Sequence, residues 1–186
     1  MTDPPFTVRT FTRTRQLRDP TTDVLGEISE LSDAETVEEV TIVGWPDEIV
    51  LGQETVNDGV LTDFRRIQAW AERNRASVQP PFCVQEVASP LSEVRDCVLR
   101  TPVLCLLVER DDTIVDVYPH SKEDEHYSIR DGIDRIRSGT TDGKPVNGEP
   151  QVEPPRQCTV CSDDLRLLNG VGVCQTCRGA MVGVDV

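Results

Sequence analysis

Residues 102–118 read PVLCLLVERDDTIVDVY, the most apolar stretch of the chain followed by a polar turn and an alternating run. Two β-prone runs joined by Arg110-Asp111-Asp112 have one economical arrangement, an antiparallel hairpin, and its apolarity places it at the centre of the core. The segments on either side are read against it. Upstream, residues 6–14 alternate, with Phe6, Val8, Thr10 and Thr12 on one side and Thr7, Arg9, Phe11 and Arg13 on the other, which predicts a strand with one buried face. After Asp19-Pro20, Thr21 or Thr22 can cap a helix carrying Val24, Leu25, Ile28 and Leu31 as one apolar stripe. Residues 40–45 (VTIVGW) and 48–51 (EIVL), separated by Pro46-Asp47, predict a second hairpin.

A longer helix is expected from about Asp58 or Val60 to Arg75, with Val60, Phe64, Ile67 and Ala71 inward. Pro80-Pro81 leads into a strand over residues 82–87, and the polar stretch 89–100 is expected to hold a short helix begun at Ser92. A helix over residues 128–137, with Ile129, Ile133 and Ile136 inward, closes the domain. This order is no regular βαβ alternation. It predicts an α+β domain over residues 1–138, a largely antiparallel sheet with helices on one face. Residues 139–156 hold three glycines and four prolines with almost nothing to bury, which predicts a flexible linker. Residues 157–186 then form a small module of their own.

That module carries the strongest chemical motif. Cys158-Thr-Val-Cys161 and Cys174-Gln-Thr-Cys177 give CxxC-x12-CxxC. Each pair fits a tight turn, and the spacer is long enough for an out-and-back hairpin that brings both turns together. Four thiolates around one Zn²⁺ make the closed tetrahedral site expected of this spacing. So small a module cannot fold on apolar burial alone, so metal would supply most of its folding free energy. Iron bound by the same four thiolates, or a pair of redox-active CxxC sites, remains an alternative. Catalytic zinc is disfavoured, because four cysteines leave no open position. The stretch resembles a zinc ribbon, which implies a binding or scaffolding platform.

Composition bounds the function. The chain has 186 residues and a formal charge of −14, with 33 acids against 17 arginines and only two lysines, Lys122 and Lys144. Acid excess with lysine depletion predicts a protein adapted to molar salt, where hydrated carboxylates keep the surface soluble. No run approaches the ~18 apolar residues of a membrane span, and the first 18 residues lack the apolar core of an export signal. A reducing cytoplasm is expected, with no membrane partner. Cys83, Cys97 and Cys105 are read as small buried hydrophobes, and His120 and His126 as flanks of a solvated loop. No phosphate-binding glycine loop, G-x-S-x-G elbow or HExxH occurs, so neither an enzyme nor a small-molecule substrate is expected.

The densest basic cluster, Arg65, Arg66, Arg73 and Arg75, lies on the outer face of the long helix. It is the candidate nucleic-acid contact, which the overall charge opposes unless the local patch wins. A solvated face with Glu72 pairing Arg65 or Arg75 explains the same residues. FTVRTFTR (residues 6–13), the segment 40–51, DFRRIQAWAERN (residues 63–74) and the hairpin ending near Tyr118 are together similar to a haloarchaeal family described as a helix-turn-helix domain. The resemblance spans the first ~140 residues. It implies transcriptional regulation through DNA or a transcription-associated protein. A protein-interaction adaptor that never touches nucleic acid is the other reading.

Overall fold

The computed structural model describes residues 5–13, 19–52, 58–88, 95–140, 157, 161–176 and 179–180. The chain runs β1 (Phe6–Arg13), α1 (Asp19–Ser29) ending in a 3-10 turn (Glu30–Asp33), β2 (Val37–Trp45), β3 (Glu48–Leu51) and α2 (Asp58–Asn74). There follow β4 (Cys83–Ala88), β5 (Arg95–Arg100), β6 (Leu104–Arg110), β7 (Thr113–Tyr118), β8 (His120–Lys122), β9 (Glu125–Tyr127) and α3 (Ile129–Arg137). The C-terminal part holds β10 (Arg166–Leu168), β11 (Val171–Cys174) and β12 (Gly179–Ala180). The fold is α+β with mostly antiparallel pairing, as expected.

The main sheet has the order β2-β1-β6-β7, and the β6–β7 hairpin sits in it as the sequence predicts. Asp111 and Asp112 both take positive φ (51 and 59), the geometry of a two-residue type I′ turn. Alternation along β1 and β6 sends side chains into two cores. Phe6, Val8, Leu106 and Val108 meet Ile28 and Leu31 near α1 and Ile133 and Ile136 of α3. Phe11, Cys105 and Leu107 meet Leu61, Phe64, Ile67 and Trp70 of α2. Helices therefore cover both faces of this sheet, not the single face expected. The reason lies in β6, whose residues 105–108 are completely buried on alternating sides and need a cover on each.

Two pairings differ from the sequence reading. β2 does not turn back on itself into β3; it pairs in parallel with β1 across α1, while β3 joins a second sheet of order β3-β5-β4. The Pro46-Asp47 corner is held from outside: Thr101 donates its hydroxyl to the Pro46 carbonyl at 2.7 Å and its N–H to Asp47 at 3.2 Å. Residues 95–100 are a strand, not helix, because β3 and β4 flank β5 on both edges. Ser92 and the rest of 89–94 lie outside the described residues, as do residues 141–156 of the linker.

The larger core is aromatic. Phe11 stacks on Trp45 with ring centroids 4.8 Å apart, and Phe82 packs edge-on to Trp45 and tilted on Phe64. Both tryptophans satisfy their buried N–H, Trp45 on the Pro102 carbonyl and Trp70 on that of Val115. Leu168, Val171 and Val173 of the C-terminal hairpin join this same core.

His120, expected at the flank of a solvated loop, is buried instead. It starts the β8–β9 hairpin, stacks on Tyr127 at 4.7 Å and meets the edge of Trp70 at 5.1 Å. Its Nδ1 lies 2.6 Å from the Val117 carbonyl. Burial pushes its pKa down from the ordinary 6.5 against that hydrogen bond, and the positive charges of Arg135 and Lys122 and the neighbouring His126 add to the fall. The native state thus takes up the proton less readily than the unfolded chain. This contribution to stability is complete above about pH 6.5 and is lost as pH drops toward the lowered native value. His120→Asn, which keeps a donor for Val117, should flatten the fall in chemical-denaturation stability between about pH 7 and pH 5; an unchanged slope would remove His120 as its source.

Candidate nucleic-acid interface and metal site

α2 positions the basic cluster. Leu61, Phe64, Ile67, Trp70 and Ala71 point inward, which turns the intervening arginines outward. The four arginines do not share one environment. Arg66 faces β6: its Nη2 donates to Glu109 Oε1 at 2.6 Å and to the Asp112 carbonyl at 2.8 Å. Arg9, on β1, makes a two-pronged contact to Asp63 at 3.1 and 3.2 Å. Arg66–Asp63 (3.6 Å) and Arg9–Glu109 (3.7 Å) complete a four-membered network around a nearly buried Glu109. Burial works against the charge of Arg9, but hydrogen bonding and attraction from Asp63, then Glu109, outweigh it and hold the pKa above its usual range.

Arg65 lies along the helix, its Nε donating to the Leu61 carbonyl at 3.2 Å. Arg73 and Arg75, at the C-terminal end, are exposed. That end closes as a Schellman motif: Arg75 N–H donates to Glu72 at 3.1 Å and Ala76 N–H to Ala71 at 2.8 Å. Arg75 occupies the left-handed position (φ 52) usually given to glycine, at a cost of about 1 kcal/mol or more. Cations here also complement the carbonyl end of the helix dipole.

Beside α2 lies a groove of about 850 Å³, floored by Thr7 and Arg9 of β1 and Glu39 and Thr41 of β2 and walled by Arg65, Arg66 and the Asp111-Asp112 turn. With Glu109 its lining has four acids and three arginines, so it is a mixed-charge surface with no phosphate-sized excess of cations. Asp111 and Asp112 belong to the type I′ turn, in keeping with their reading as turn residues.

At the C-terminus, the Cys161 and Cys174 sulfurs stand 3.5 Å apart. A disulfide needs about 2.05 Å, whereas thiolates at ~2.3 Å from a tetrahedral zinc stand about 3.8 Å from one another. Both are free thiols, at a separation open to a sulfur–sulfur hydrogen bond as well as to a shared metal. Cys158 and Cys177 lie outside the described residues; among the described residues no three His, Cys, Asp or Glu side chains gather as a metal site. Of the other cysteines, Cys105 is fully buried, Cys97 is half-buried, and Cys83, expected inside, is exposed. Cys105 has its thiol pKa pushed up by burial and by the charge of Asp63.

Residues 2–141 match the Helix-turn-helix domain family. The chain belongs to that family. No curated protein and no solved structure matches it. Within this family member, strands separate each α-helix from the next among the described residues: β2 and β3 between α1 and α2, β4 to β9 between α2 and α3. No helix is long and apolar enough to cross a membrane among the described residues. The four-membered network went unseen in the sequence, because Arg66 and Glu109 are 43 positions apart and nothing local pairs them.

Proposed function

We propose that this helix-turn-helix family member is a zinc-carrying, non-enzymatic regulator of a haloarchaeal cytoplasm that acts through DNA or a DNA-bound transcription complex. Membership of the family over residues 2–141 carries the reading. The exposed end of α2 supports it, since Arg73 and Arg75 project at a helix terminus, one of them in a strained conformation. Arg65 and Arg66 are secondary contacts, because Arg66 is already committed to Glu109. In molar salt the Debye length falls to ~3 Å, which screens the distant carboxylates and leaves close arginine contacts to do the binding.

The test is duplex DNA binding across a salt series with Arg73→Gln and Arg75→Gly together. Glycine relieves the left-handed strain at 75, so the variant should be at least as stable as the parent, and weaker binding will not reflect unfolding. Two lost phosphate contacts should lower the slope of log affinity against log salt by about 2. Equal binding and slope would take α2 out of the interface. The balanced charge of the groove favours a second reading, a protein-interaction adaptor without nucleic-acid contact. Co-purification in high salt separates the two by showing nucleic acid or only protein.

A further inference from the structure

The two margins of the main sheet differ. At β7 the margin is closed: the strand is buried along its whole length, and Trp70 of α2 donates its N–H to the Val115 carbonyl at 3.1 Å. At β2 it is open. Among the described residues β2 pairs with β1 alone, and Glu38, Glu39, Ile42 and Gly44 are exposed. Past an irregularity at Glu38, residues 39–45 run in register with residues 7–13 without a break. Sheets usually blunt such an edge with lysine, proline or a bulge, yet residues 40–45 (VTIVGW) carry no charge, no proline and no bulge. Ile42 is 44% exposed in the middle of that run. Its neighbours alternate between faces, Val40 leaning on the core under α1 and α3 and Val43 on the core under α2.

We propose that the open edge of β2 docks a second copy of this chain, the two β2 strands pairing antiparallel about Thr41 and joining two four-stranded sheets into one. A second copy is the occupant because β2 matches itself in this register. Directly opposed residues of an antiparallel pair share a face and touch. With Thr41 opposite its own counterpart, each Ile42 lies beside the other copy's Val40, each Glu39 beside Val43, and each Glu38 beside Gly44. No carboxylate opposes another, and Ile42 gains the apolar neighbour that its edge lacks. Each copy carries −14, a repulsion that molar salt screens within ~3 Å. The contact is isologous, so assembly closes at two copies. Its two-fold axis stands perpendicular to the sheet, which puts both α2 helices on the same side and presents the Arg73 and Arg75 ends in duplicate.

Light scattering after size exclusion in molar salt should give twice the chain mass for the full-length parent at about 100 μM, a concentration that reveals a micromolar dimer. Ile42→Lys, at an already exposed position, should leave the far-ultraviolet spectrum unchanged and raise the dimer dissociation constant about 10-fold or more. Cysteine crosslinking then reads the register. Opposed residues have Cα atoms about 4.5–5.5 Å apart, within disulfide reach, so Thr41→Cys should join two copies on mild oxidation, above the level seen in the parent. Val43→Cys should not, because four residues at ~3.3 Å each separate the two copies of position 43 by about 13 Å. A chain that stays monomeric, a dimer that survives Ile42→Lys, or crosslinking as strong through position 43 as through position 41 overturns the proposal. None of these readouts involves zinc or DNA, so the regulatory function proposed above is tested apart from it.

Discussion

A chain with Cys158→Ser and Cys174→Ser should lose its zinc, and with it the order of residues 161–176. Structural Cys-rich zinc sites contribute roughly 10–16 kcal/mol of apparent binding free energy at neutral pH, and the three side chains that the hairpin buries in the larger core, at about 1.5–3 kcal/mol each, replace only part of it. The effect should stop within the hairpin. The body keeps two cores of its own, one under α1 and α3 and one under α2, whereas the hairpin adds only Leu168, Val171 and Val173 to the second. Elemental analysis should show one zinc in the parent and none in the variant. Amide exchange should rise across 161–176 and at Gly52, whose N–H donates to Asn169 Oδ1, while β6 and β7 stay protected. Cys83→Ser, at an exposed position outside the motif, is the control and should change neither. Full zinc content in the double variant would end the assignment.

Gly132→Ala should destabilise the domain although alanine is the better helix former. Propensity alone favours the change by about 1 kcal/mol. Against it, a Cβ at 132 would stand 2.6 Å from Tyr118 Cδ2 and 2.7 Å from Cγ, far inside van der Waals contact. The ring cannot step aside. Tyr118 is 1% exposed, and its hydroxyl donates to Asp116 Oδ2 at 2.6 Å, so both ends of the side chain are held. Overpacking of this kind costs typically 1–3 kcal/mol, occasionally more, and here α3 must shift off the sheet to relieve it. With contacts this short the cost falls in the upper half of that range, and set against the propensity gain the expected net loss is about 1–2 kcal/mol, a fall in Tm of several degrees. Tyr118→Leu in the same chain should make the glycine change less harmful than it is alone, a coupling that a double-mutant cycle would measure. A rise in Tm for the single variant would refute the close packing.

How much was legible follows from where each signal resides. The 102–118 hairpin, α2 and α3 were readable because their information is local: alternation, a 3.6-residue stripe, and for α3 a Ser128–Asp131 capping box. Pairing partners were not local. VTIVGW and EIVL are good strands on either side of a good turn, and only Thr101, 54 and 55 residues away, reveals that the turn is a corner between two sheets. His120 looked solvated because residues 121–125 are polar, yet its burial is imposed by Trp70 and Tyr127. The same split runs through the site. The cysteine spacing announced itself, whereas the withdrawal of Arg66 into Glu109 and Asp63, and the hydrogen bond from Gly52 N–H to Asn169 Oδ1, depend on segments that meet only in the folded chain.

The place of β1 in the main sheet has a consequence for the order in which the protein can be made. β1 lies between β2, which closes at Trp45, and β6, which closes at Arg110. A growing chain can complete the parallel β1-α1-β2 unit early, but the other edge of β1 waits for about 65 further residues. At ordinary rates of synthesis that interval is roughly 3–13 s. During it, Thr7 to Thr12 present open backbone donors and acceptors, the kind of edge that pairs with another chain. Ribosome-bound fragments that stop between β2 and β6 are thus the forms most exposed to aggregation, and emergence of β6 is the event that ends the risk.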